Sequence, residues 1–124
     1  MKAGTFSFEV RDVCWPELWM KFKDIPEIHG NKELLTEWLT IDVRTNEEYL
    51  SRIENVLNGS NLEDFICGDA YEAHITKVDS HIHCCFEKEL SKEKPCSIST
   101  TMLREIVEIW LKEYKRFIEE QETK

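Results

Sequence analysis

The sequence is short of the residues that interrupt structure. Its 124 residues include four Gly and three Pro, with no Gly-, Pro- or Ser-rich stretch, so no linker or low-complexity tract divides the chain. There is no internal repeat, and no run approaches the roughly 18 apolar residues of a membrane helix. Met1–Glu9 lacks the apolar core of a signal peptide. Cysteine amounts to five residues, Cys14, Cys67, Cys84, Cys85 and Cys96. An odd set with an adjacent pair suits free thiols better than a disulfide framework, and the expected location is the cytoplasm. Positive charge is scarce in the middle of the chain. Residues 24–72 carry three basic and twelve acidic side chains, a local excess equal to the whole formal net charge of -9. Such a surface repels nucleic acid and anionic membranes and speeds encounter with basic partners.

What is present is apolar matter for one core: 41% hydrophobic residues, with four Trp, three Tyr and six Phe. A single α+β domain over residues 1–124 is expected, an antiparallel sheet of about four to six strands on two main helices. Phe6, Phe8 and Val10 alternate with Ser7, Glu9 and Arg11, and Leu18, Met20 and Phe22 with Trp19, Lys21 and Lys23, which predicts two strands joined through Cys14-Trp15-Pro16. Asp24–Lys32 reads as a loop, and Glu37–Val43 as a third strand, although Leu34, Leu35, Trp38 and Leu39 also fit helical spacing. Thr45-Asn46-Glu47-Glu48 has the form of a capping box, opening a helix over about 45–58 whose stripe is Tyr49, Leu50, Ile53, Val56 and Leu57.

Tyr71–Lys77 and His81–Lys88 predict a hairpin with Val78 facing His81. Ala73, Ile75, Ile82, Cys84 and Phe86 then face the core, while His74, Thr76, His81, His83 and Cys85 face outward. Leu90–Lys94 reads as a turn and Cys96–Ile98 as a short strand. Thr100 or Thr101 caps a last helix over about 100–119, with Leu103, Ile106, Val107, Trp110, Leu111, Tyr114, Phe117 and Ile118 inward and fraying beyond.

Few residues suggest catalysis. His74, His81, His83 and Cys85 are metal-ligand types on one hairpin face, but they lack C-x-x-C or H-x3-H spacing, so no metal and no cofactor is expected. A zinc enzyme on that face is the alternative they leave open. A thiol enzyme would use Cys84 or Cys85 with His83 as base, yet strand neighbours point to opposite faces and no glycine-rich oxyanion loop is present. Glu47 with Glu48, or Glu63 with Asp64, reads as solvated charge rather than an acid–base pair.

The acidic middle, the helix ending at Asn58-Gly59, the sheet and the closing helix form a profile of size, charge and layout over most of the chain. It resembles the small immunity proteins of bacterial toxin systems, including those of contact-dependent growth inhibition. The resemblance implies a non-enzymatic inhibitor that binds a cognate toxin domain, often a basic nuclease, and occludes its active site or substrate groove. No catalytic residue carries over. The charge count nominates Asp24, Glu27, Glu33, Glu47, Glu48, Glu54, Glu63, Asp64 and Asp69 as contacts, with Trp19 or Trp38 as an apolar anchor. A regulatory adaptor or nucleic-acid-mimicking inhibitor of a housekeeping protein is the rival non-enzymatic reading.

Overall fold

Alternation in the first 22 residues produces a two-stranded antiparallel ribbon. Strands β1 (Phe6–Asp12) and β2 (Pro16–Phe22) pair with Phe8 opposite Met20 and Val10 opposite Leu18. Their inner side chains Leu18 and Met20 are buried. The computed structural model describes residues 6–12, 14, 16–23, 25–85 and 95–122; Trp15, Asp24, Phe86 and the expected turn at 90–94 lie outside them.

A second, five-stranded antiparallel sheet has the order β3-β7-β6-β5-β4. Its strands are β3 (Ile28–His29), β4 (Glu63–Cys67), β5 (Tyr71–Thr76), β6 (Asp79–Cys84) and β7 (Cys96–Ser99). Three helices cover one face: α1 (Lys32–Trp38), continued by a π-helical turn over Leu39–Val43, then α2 (Glu48–Leu57) and α3 (Thr100–Glu122). Ile66, Ala73, Ile75, Ile82, Cys96 and Ile98 from the sheet share one buried cluster with Leu35, Trp38, Ile53, Leu103 and Trp110 from the helices. The architecture is α+β, as the residue pattern predicts.

Several local expectations are corrected. The strand expected over Glu37–Val43 is helical, because Leu34, Leu35, Trp38 and Leu39 form one buried stripe at helical spacing. Asn31 starts α1 by accepting the Glu33 amide at 3.0 Å. Thr45 does not cap α2. The Asn46 amide donates to the Val43 carbonyl at 2.9 Å, closing a turn that contains Thr45, and the Asn46 side chain accepts the Glu48 amide instead. α3 is capped by Ser99, whose hydroxyl accepts the Met102 amide at 3.3 Å. The Thr100 hydroxyl instead donates to the Thr76 carbonyl and meets the Ser80 hydroxyl at 2.7 Å. α3 also runs on to Glu122 rather than fraying from Glu119.

The central hairpin keeps the expected faces but shifts its register: His74 opposes His81 and Ile75 opposes Ser80. β3, inside the expected loop, and β4 complete the sheet at its two edges. Gly30 permits the approach at the β3 edge, since its φ is +84° and a Cβ there would lie 2.1 Å from the Pro95 carbonyl oxygen.

Candidate protein-binding surface

Asp42, in the π-helical turn, fixes one end of the molecule. Its Oδ1 accepts the amides of Asp69 and Ala70 at 2.9 and 3.2 Å, and its Oδ2 accepts that of Tyr71 at 2.8 Å. One carboxylate thereby organises the connection between β4 and β5. Gly68 is required beside it, because a Cβ there would stand 2.4 Å from the Asp42 carboxyl carbon. The Tyr71 hydroxyl donates a short hydrogen bond to Glu37. Burial, reinforced by that carboxylate, raises the Tyr71 pKa above the usual phenol value.

The next turn carries Arg44 at φ +48°. Its carbonyl accepts the Trp110 indole N–H at 3.0 Å, tying the turn to α3, and its Nε donates to the Ile41 carbonyl at 2.7 Å. The guanidinium reaches Asp69 only at 4.0 Å, and Asp69 remains 84% exposed. Glu47 and Glu48 follow directly and are exposed at the start of α2, where the helix dipole favours negative charge. Asp69 thus stands beside Arg44 on one braced turn, and Glu47 and Glu48 open the helix that follows the other.

The other nominated carboxylates are distributed differently. Asp64 is held by a two-pronged ion pair with Arg52, at 2.7 and 2.6 Å, which lowers its pKa. Glu54 accepts two bonds from Arg104, at 3.2 and 3.0 Å, and Arg104 also pairs with Glu108. Glu63 lies on the outer face of the sheet, 3.4 Å from His74 Nε2. Glu27 and Glu33 are exposed near β3, the edge of the sheet opposite β4. Asp24 falls outside the described residues.

Trp38 is not a surface anchor. It is fully buried, packed edge-on against Tyr49 with ring centroids 5.6 Å apart. Trp19 is half-buried beneath the Arg11 guanidinium, 4.3 Å from its ring centroid, so its indole is already partly covered. No family model, curated protein or solved structure matches this chain.

The outer face of the sheet collects the histidines. Phe65, His74, His81, Ser97 and His29 form one cross-strand row, in which Phe65 stacks on His74 at 4.1 Å and His81 Nδ1 meets the Ser97 hydroxyl at 2.8 Å. His83 shares the face, 3.8 Å from Glu72, and Cys67 donates toward Glu72 at 3.5 Å. His74 and His81 oppose each other with ring centroids 6.5 Å apart, while His83 lies opposite Glu72. Among the described residues no group of three or more His, Cys, Asp or Glu could hold a metal ion. His29 escaped the sequence reading because a two-residue strand has no periodicity to detect.

Cys84 opposes Tyr71 on the helix-covered side, away from His83, and the Cys85 amide donates to the Ala70 carbonyl. No disulfide joins any of the five cysteines, and burial pushes the Cys96 thiol up to about 12. Between α2 and α3 an open cleft of about 380 Å³ is lined by Glu47, Leu50, Ser51, Glu108, Leu111, Lys112 and Lys115, so it borders the Glu47 end of the acidic rim. No helix among the described residues is long and apolar enough to cross a membrane.

Proposed function

We propose that this chain is a protein-binding domain that neutralises a basic partner, in the manner of the immunity proteins it resembles. The contact is centred on Glu47, Glu48 and Asp69. One observation carries the reading: these three carboxylates are exposed on braced turns, and neither Glu47 nor Glu48 has an ion-pair partner among the described residues. Asp64 and Glu54, by contrast, already have arginine partners. Exposed carboxylates with at most a loose ion pair, that of Asp69 with Arg44 at 4.0 Å, offer a basic groove what a phosphate backbone would offer it. Glu27 and Glu33 extend the charge but lie beside the other sheet edge, where they act by long-range steering.

The test is co-purification with the C-terminal toxin domain encoded immediately upstream, followed by affinity across a salt series. The triple variant Glu47→Lys, Glu48→Lys, Asp69→Lys should weaken binding at least about tenfold at low salt, mainly through slower association, and flatten the salt dependence. Unchanged affinity and slope would remove the acidic rim from the interface.

A further inference from the structure

Among the described residues four strand edges end the two sheets, and three of them are short, acidic or covered. β3 has two residues, β4 has five and opens with Glu63-Asp64, and the outer edge of β2 is covered by α1. There the Thr36 and Thr40 hydroxyls donate to the carbonyls of Met20 and Leu18 at 2.8 and 2.9 Å. β1 differs. It is seven residues long, pairs one-to-one with β2 without a bulge, and contains no Pro, Gly or Lys. Among the described residues no strand pairs with its other edge. Its charged side chains, Glu9, Arg11 and Asp12, are of mixed sign, so a second copy can complement them rather than be repelled.

The threonine bonds also show which way the β1 backbone faces. If Leu18 and Met20 direct their carbonyls to α1, they do not direct them to β1, so Val10↔Leu18 and Phe8↔Met20 are non-hydrogen-bonded pairs. Pro16 agrees: it has no N–H and sits opposite Asp12, in the same alternate set. The outward-facing N–H and C=O groups of β1 therefore belong to Phe6, Phe8, Val10 and Asp12.

We propose that β1 pairs antiparallel with β1 of a second copy of this chain about a two-fold axis at Val10, joining two ribbons into one four-stranded sheet. Charge selects that register. An axis at Glu9 sets Glu9 against the partner's Glu9, and an axis at Arg11 sets two arginines together. An axis at Val10 places Glu9 opposite the partner's Arg11, twice by symmetry. Val10, 56% exposed in the single chain, then faces its own copy across a hydrogen-bonded pair. Arg11 now lies 3.3 Å from its own Glu9, which also holds Lys21 at 3.3 Å, and both Arg11 and Glu9 are partly exposed and free to exchange partners. This interface is independent of the acidic rim.

Sedimentation velocity of the full chain at up to about 1 mM, where even a millimolar interface registers, provides the test. A concentration-dependent dimer is expected. Val10→Pro removes a donor that β2 does not use, so it should leave the circular dichroism spectrum unchanged while raising the dimer dissociation constant at least about tenfold. Glu9→Arg alone should weaken the dimer about tenfold, and adding Arg11→Glu should restore it to within about threefold. A chain that stays monomeric throughout would overturn the proposal, as would a dimer indifferent to both Val10→Pro and the charge swap.

Discussion

Asp42 shows how much one side chain can carry when three amides converge on it. Asp42→Ala leaves the donors of Asp69, Ala70 and Tyr71 without their acceptor, and it should lower stability by about 2–3 kcal/mol in urea denaturation. Gly68→Ala destabilises for the opposite reason, because the new methyl group meets the Asp42 carboxyl. The two changes should be non-additive: Gly68→Ala costs less in the Asp42→Ala background, where that carboxyl is gone. Additive costs would mean that the clamp and the glycine act separately. Asp64 has a different signature. Its hydrogen-bonded pair with Arg52 lowers its folded-state pKa below the ordinary carboxylate value. The pair's stabilisation is therefore intact above about pH 4 and is lost as acid takes the solution down through the folded pKa. Asp64→Asn should cost about 1 kcal/mol at neutral pH, allowing for the partly exposed arginine, and the difference from wild type should shrink below pH 4 in acid titrations of stability.

Among elements, α1 and the π-helical turn that continues it do the work of a neighbouring strand. Thr36 and Thr40, one helical turn apart, supply hydroxyl donors to alternate carbonyls of β2 and fix the ribbon to the rest of the molecule. The double change Thr36→Val, Thr40→Val keeps the shape but leaves two buried carbonyls unpaired. It should cost about 2–4 kcal/mol and raise amide exchange in β1 and β2 above that in β5 and β6; equal protection loss in both sheets would contradict this. These elements were unequally legible in the sequence. The alternation of β1 and β2, the two faces of the central hairpin and the stripe of α3 follow directly from the spacing of their apolar residues. β3 is too short for a period. The stretch of Leu39, Ile41 and Val43 alternates like a strand, yet it continues a helix because Trp38 and Leu39 fill the core beside Leu34 and Leu35. Asn46 took the capping role from Thr45 because the preceding turn had already consumed that residue.

At the scale of the whole molecule, the acidic middle segment separates into roles that a charge count does not distinguish. Arg52 reaches Asp64 twelve residues on, and Arg104 reaches Glu54 from fifty residues away, so only the folded chain shows which carboxylates are neutralised. Glu47, Glu48 and Asp69 stay exposed, and the salt-dependent affinity expected above depends on them. Trp38 was lost to the core for a similar reason: its helix, absent from the strand reading, turns it inward.

The placing of β7 bears on biosynthesis. β7 inserts between β3 and β6, yet of the strands described it leaves the ribosome last. Until residues 96–99 emerge, β6 presents an unpaired margin next to Ile82, and β3 has nothing to join. The C-terminal third therefore acts as a closure step, and a chain stalled or cut after Cys85 would present an open, self-adhesive sheet to the cell. For this protein, the arrival of β7 and α3 decides whether the earlier elements form a closed sheet or an aggregate.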